Sequence, residues 1–158
     1  RPELQPGHPD TDTSVQACIP FYGVYDMLVR ENQHPNREVY ERFLRDKVMY
    51  ESPQENPELW DLASPIAQIH SDAPPFMVLH GTHDSLAVVN EGRAFSHKLR
   101  EVSHNPVVYV EMPGAEHAWE TVHSLRTEHT VDGVHRFLEW VRAGNAQPAT
   151  EDQDKSGT

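Results

Sequence analysis

Three short apolar runs supply the strand material of this 158-residue chain, and each lies too far from the next for a hairpin. They are Val15–Gly23 (VQACIPFYG), Phe76–His80 (FMVLH) and Pro106–Met112 (PVVYVEM). A long charged stretch with helical spacing separates the first two, and one further helix separates the second from the third. Strands joined in this way run parallel through right-handed crossovers, so the order predicts an α/β fold. A parallel sheet is covered on both faces, which agrees with runs that do not alternate. Pro20 cannot donate to a ladder and belongs near the end of the first strand or at a bend. Three strands are few for such a sheet. The first is apolar enough to expect a neighbouring strand that the sequence does not contain.

Between the runs the pattern is helical. Arg37–Met49 sets Val39, Tyr40, Phe43, Leu44 and Val48 at helical spacing. Asn56-Pro57 and Ser64-Pro65 read as helix starts, a capping side chain followed by Pro in the first turn. A helix over about 90–102 carries Phe95, Leu99 and Val102. A last one, over about 128–141, carries Val131, Val134, Phe137, Leu138 and Val141, after a loop over 121–127. Residues 1–13 read as a polar, Pro-rich linker, and 143–158 as a disordered tail with nothing to bury. A first residue, Arg1, that is not Met predicts a processed or truncated piece of something longer.

Composition removes several classes of function. Thirteen Lys+Arg against 25 Asp+Glu give a net charge of −12, which argues against nonspecific nucleic-acid binding and anionic membrane surfaces. No apolar run approaches the ~18 residues of a membrane-spanning helix. No secretory signal is legible, so a cytoplasmic location is the expectation. A lone cysteine, Cys18, forbids an internal disulfide and a cysteine zinc site, and reads as a small buried hydrophobe. With 37% hydrophobic residues and 13 prolines, the core is thin for the length. The histidines predict no metal site. His117, His123, His129 and His135 recur every six residues, a spacing that turns a helix by roughly 240° net and shares no face. His80-x-x-His83-Asp84 lacks a further ligand nearby. No cofactor is expected.

In a parallel sheet the working residues sit just beyond the carboxyl ends of the strands. The second run ends in His80-Gly81-Thr82-His83-Asp84-Ser85, and the third leads to Pro113-Gly114-Ala115-Glu116-His117-Ala118-Trp119. A carboxylate and an imidazole on adjacent loops of one face suit nucleophilic catalysis: the His takes a proton from a nucleophile, and the Asp fixes its tautomer. Spacing alone leaves a plainer alternative, with Asp84 capping a turn and His117 one of 11 scattered histidines.

Ala63-Ser64-Pro65-Ile66, the stretch from Pro74 to Asp84, and Val107–Val110 leading to Pro113–Trp119 together resemble the C-terminal half of an α/β-hydrolase. They are most similar to the carboxylesterase/lipase branch that includes hormone-sensitive-lipase-like and feruloyl-esterase-like enzymes. The resemblance runs from about Val15 to Val141. It implies that Asp84 is the triad acid and His117 the base, in the family's chain order. It also implies that the helical excursion over 26–70 takes the place of the cap. Leu86 and Trp119 flank the two loops and are candidates to line an acyl or alcohol pocket, with ordinary packing as the alternative.

The departure is as informative as the match. The family's nucleophile is a Ser in G-x-S-x-G, preceded by an HGG-type oxyanion loop. No serine here has Gly at −2 and +2; Ser14 and Ser85 both fail that test. The expectation is a partial α/β-hydrolase fold of about three parallel strands, folded over 14–142. It would be the acid/base half of a serine ester hydrolase, with negligible activity alone. Its partners would be a small ester and the missing N-terminal half. Two other readings remain open: a noncatalytic α/β interaction domain that pairs by a strand edge, with another copy included, and a piece of a related serine peptidase or amidase.

Overall fold

The computed structural model describes residues 7–8, 10–30, 34 and 36–145. Two continuous strands, β1 (Phe76–Gly81) and β2 (Val107–Met112), pair in parallel, with Phe76 opposite Val107 and Gly81 opposite Met112. Helix α3 (Val89–Val102) joins them. Ahead of β1 lie α1 (Arg37–Leu44), a π-helical turn over Arg45–Met49, α2 (Pro57–Ala63) and a 3-10 turn over Pro65–Gln68. Helix α4 (Leu125–Trp140) closes the chain, followed by a turn over Val141–Asn145.

The third expected strand is present as a bridged segment, not as a continuous one. Cys18 pairs in parallel with Phe76, and Phe21 with Leu79. The Cys18 amide donates to the Pro75 carbonyl at 2.9 Å and the Tyr22 amide to that of Leu79 at 2.7 Å. Met77 and Leu79 in turn donate to the carbonyls of Cys18 and Pro20, both at 3.0 Å. The missing rung is the one Pro20 has no N–H to make, and regular strand structure stops there. On the outer side of the segment, the amides of Ala17, Ile19 and Phe21 have no backbone partner among the described residues. Cys18 is accordingly half-buried, not enclosed.

Both faces of β1 are covered, which is why its sequence runs apolar without alternation. Val78 packs with Tyr25, Ala73, Phe95 and Leu99 on one side. Met77 and Leu79 pack with Ala115, Trp119 and Phe137 on the other, where Ile19 and Phe21 of the bridged segment join them.

The helices depart from expectation at their surfaces and ends. Helix α4 begins earlier than its apolar stripe suggests, because Ser124 Oγ caps it by accepting from the Thr127 amide. The 121–127 loop is correspondingly shorter. Of the two stripes, Leu44 and Phe137 are buried, whereas Val39, Phe43, Val131 and Leu138 are exposed. Asn56 caps α2 as read, its Oδ1 accepting from the Leu59 amide. Ser64 does not cap its turn. Its fully buried Oγ donates to the Trp60 carbonyl and accepts from the Met27 amide, tying α2 to the chain that leaves the sheet. Of the expected linker, 1–6 and 9 lie outside the described residues. Of the expected tail, 146–158 do so, while 143–145 form a turn with Gly144 at φ 79.

One buried carboxyl ties α3 to the chain that leaves the bridged segment. Glu91, in the first turn of α3, accepts from the Tyr25 amide at 3.2 Å through Oε2. Its Oε1 has no partner among the described residues. Burial raises its pKa from the ordinary 4.5 to about 7, against the lowering effect of the Tyr25 amide. Folding therefore favours the protonated acid, and the folded chain binds more protons than the unfolded one between those two values. Stability should be greatest below pH 4.5 as far as Glu91 is concerned and should fall as pH rises to 7, by up to ~3 kcal/mol. Thermal unfolding of the wild type and Glu91→Gln across that range tests this. The Gln variant should lose that component of the slope.

Candidate active site

The turns after β1 and β2 are knitted together before any catalytic side chain is considered. The Thr82 amide donates to the Met112 carbonyl at 3.1 Å, and the His83 amide to that of Ala115 at 3.0 Å. Thr82 Oγ1 accepts from the Gly114 amide at 2.9 Å. This approach needs glycine at 81: a Cβ there would lie 2.3 Å from the Ala115 carbonyl oxygen. Gly114 is required for a different reason, its φ of 69.

The knitted turns set Asp84 beside His117. His117 Nδ1 lies 2.9 Å from Asp84 Oδ2. A carboxylate only accepts, so Nδ1 carries the proton and Nε2 is left with a free lone pair for proton transfer. Asp84 is buried, and its Oδ1 accepts from the amides of Leu86 at 2.9 Å and Ala87 at 2.8 Å. One oxygen of Asp84 thus caps its turn, and the other meets the imidazole of His117. The imidazole is more open, with 29% of its side-chain surface exposed.

Two histidines brace the acid's turn. His80 is wholly buried, and its Nε2 donates to the Ala87 carbonyl at 2.7 Å while lying 3.6 Å from Asp84 Oδ2. Burial lowers its pKa and keeps it neutral. Gly92 makes room for it, since a Cβ there would meet His80 Nδ1 at 2.7 Å. His34, from the helical excursion, accepts the Asn36 amide on Nδ1, which leaves the Nε2 proton facing the Leu86 carbonyl at 3.4 Å. Its ring stacks on Tyr40 at 4.4 Å.

Of the four residues singled out by sequence, Asp84 and His117 are brought together. Leu86 is 62% exposed on the acid's turn. Trp119 is buried in the core, with its ring 5.7 Å from that of Phe21. His80 and His83 form no metal cluster among the described residues. Sequence reasoning passed over Tyr22, whose ring lies 4.1 Å from that of His117. The carboxyl-end rule, applied to the first run as well as to the other two, would have marked it.

A family profile described as BD-FAE matches residues 3–99, more than half of the chain. The chain belongs to the BD-FAE family. Among proteins similar to this BD-FAE chain is the probable carboxylic ester hydrolase LipM of Mycobacterium tuberculosis. It is 43% identical over 143 residues, which cover 90% of this chain and 32% of LipM. Esterase LipQ of the same organism is 43% identical over 137 residues, 87% of this chain and 32% of LipQ. The chain spans about a third of the length of these relatives.

Solved structures show the fold. The propionate-bound esterase Est2 of Thermogutta terrifontis superposes with a TM-score of 0.63 at 21% identity, over 90% of this chain and 49% of that one. An acylaminoacyl peptidase superposes with a TM-score of 0.62 at 18% identity, over 84% of this chain and 20% of that one. The BD-FAE chain has a partial α/β-hydrolase fold.

The two glycines give separable predictions. Gly81→Ala should destabilise by about 2–3 kcal/mol, because backbone has to move to admit the methyl group. Gly114→Ala should cost about 1–2 kcal/mol, from the left-handed conformation alone. Urea unfolding measures both, and only Gly81→Ala should also disturb the His117 N–H resonance in NMR.

Proposed function

We propose that this chain supplies the acid and base of a carboxylic-ester hydrolase, and that its nucleophile lies in a polypeptide segment outside these 158 residues. The observation that carries the reading is the 2.9 Å contact from His117 Nδ1 to Asp84 Oδ2, at the carboxyl ends of two adjacent parallel strands. The printed names of the similar LipM and LipQ, a carboxylic ester hydrolase and an esterase, support the choice of ester.

In this reading His117 Nε2 takes the proton of a serine as it attacks the ester carbonyl, then returns it to the leaving alkoxide. In the second half-reaction the same nitrogen activates water to release the acid. Asp84 holds the tautomer and stabilises the imidazolium, with its other oxygen pinned by two amides. Oxyanion donors come from the segment that carries the nucleophile. The outer edge at Ala17, Ile19 and Phe21, whose amides have no backbone partner among the described residues, is where that segment continues the sheet. The excursion reaches the acid's turn through His34, and exposed Leu86 forms part of the substrate's surroundings.

Purified alone, the chain should turn over p-nitrophenyl acetate no faster than free imidazole. Mixed with a polypeptide that bears the upstream G-x-S-x-G half of a relative, it should gain esterase activity. In that mixture Asp84→Asn should lower kcat by roughly 10³–10⁴-fold. Turnover by the chain alone that Asp84→Ala abolishes would overturn the reading. So would a stable homodimer that recovers no activity on mixing, which would favour an interaction domain instead.

A further inference from the structure

Tyr22 rests on the His117 imidazole from a backbone conformation that tyrosine rarely adopts. Its φ is 39, in the left-handed region where a bulky side chain is strained. A left-handed residue at this point turns the chain out of the strand direction and sets the phenol ring against the imidazole, at 4.1 Å and a tilt of 52°. Strain of this kind persists only where the surroundings fix it, and it concentrates at functional sites.

The surroundings do fix it, at both ends of the residue. The Tyr22 amide donates to the Leu79 carbonyl at 2.7 Å, so its backbone is fastened to β1. Its hydroxyl donates to Glu120 Oε1. Glu120 lies in the short turn over Trp119–Thr121 that follows His117, and this turn is entered through Ala118, itself left-handed at φ 59. Burial first, and the Glu120 carboxylate second, push the phenol pKa up to about 12. The hydroxyl therefore remains a donor throughout the range in which such a site works.

Asp84 fixes one edge of the imidazole and Tyr22 covers one face. Among the charged or titratable groups near the ring are Asp84, His80 beside that carboxylate, Glu116 on the Ser85 amide, and Glu120 beyond Tyr22. An imidazole held only by its Nδ1 bond can rotate about its χ angles. A ring packed on its face removes that freedom. We propose that Tyr22, anchored by Glu120, is a positioning residue for His117, holding the plane in which Nδ1 meets Asp84 and Nε2 faces the nucleophile's side. The assignment of a catalytic role to His117 rests on the proposed function, but the positioning itself is measurable without substrate.

The test uses the 158-residue chain labelled with ¹⁵N-histidine, read by NMR at alkaline pH. Wild-type His117 should show a single Nδ1–H tautomer with a slowly exchanging proton. Tyr22→Leu removes the ring, and should give mixed tautomers with exchange up to about tenfold faster. Tyr22→Phe keeps the ring and loses its anchor, and should hold the tautomer with an intermediate exchange rate. Wild-type behaviour in Tyr22→Leu would overturn the proposal. If that variant fails to fold, unchanged exchange in Tyr22→Phe would do so. A lowered unfolding temperature without any change in tautomer or exchange marks a merely structural residue and also overturns it. Ester turnover after mixing decides the proposed function separately, so either can fail alone.

Discussion

The turn after β1 and the turn after β2 touch backbone to backbone at Gly81 and Ala115, and the site depends on that contact. Hydrogen bonds between the turns fix their spacing, and the absent Cβ of Gly81 permits it. Only with the turns at that distance do a carboxylate on one and an imidazole on the other reach 2.9 Å. The side-chain pair is therefore a product of backbone packing. Its precision comes from hydrogen bonds and close backbone contact outside the pair itself.

Beyond that contact, three polar side chains, His80, Ser64 and Asp26, each orient a stretch of backbone. His80 spends its proton on the Ala87 carbonyl and so shapes the turn that carries Asp84. Ser64 joins the Trp60 carbonyl to the Met27 amide, across the base of the excursion. Asp26 collects the amides of Leu28 and Arg30 and the Arg30 guanidinium, which in turn reaches Asp61. In each case a polar atom removed from water finds a backbone group, and the loop conformation is specified by that pairing.

Much of this was legible in the sequence, for identifiable reasons. The runs at Phe76–His80 and Pro106–Met112 became β1 and β2 because both are short, apolar and ended by Gly or Pro. The meeting of Asp84 and His117 was foreseeable because both follow the carboxyl ends of adjacent parallel strands. The start of α4 was not found, since Ser124 caps it ahead of the apolar stripe. The exposure of Val39, Phe43, Val131 and Leu138 was not found either, because periodicity gives the face of a helix and not what lies opposite it. Tyr22 and Glu120 stand 98 positions apart, a distance at which no local pattern speaks. The closure of the site is a tertiary fact.

The lost rung at Pro20 has a consequence for how firmly the bridged segment is held. The inner side of the bridged segment is interrupted, whereas its outer side offers the amides of Ala17, Ile19 and Phe21 as an unbroken row. The segment is held to its own sheet by fewer bonds than a regular strand, so it opens at lower cost. A polypeptide that pairs with the outer row binds the closed form and stabilises it by mass action. The melting temperature of the chain would then rise with the concentration of any polypeptide so paired. Tyr22 stands at the end of the same segment, with its ring 4.1 Å from that of His117.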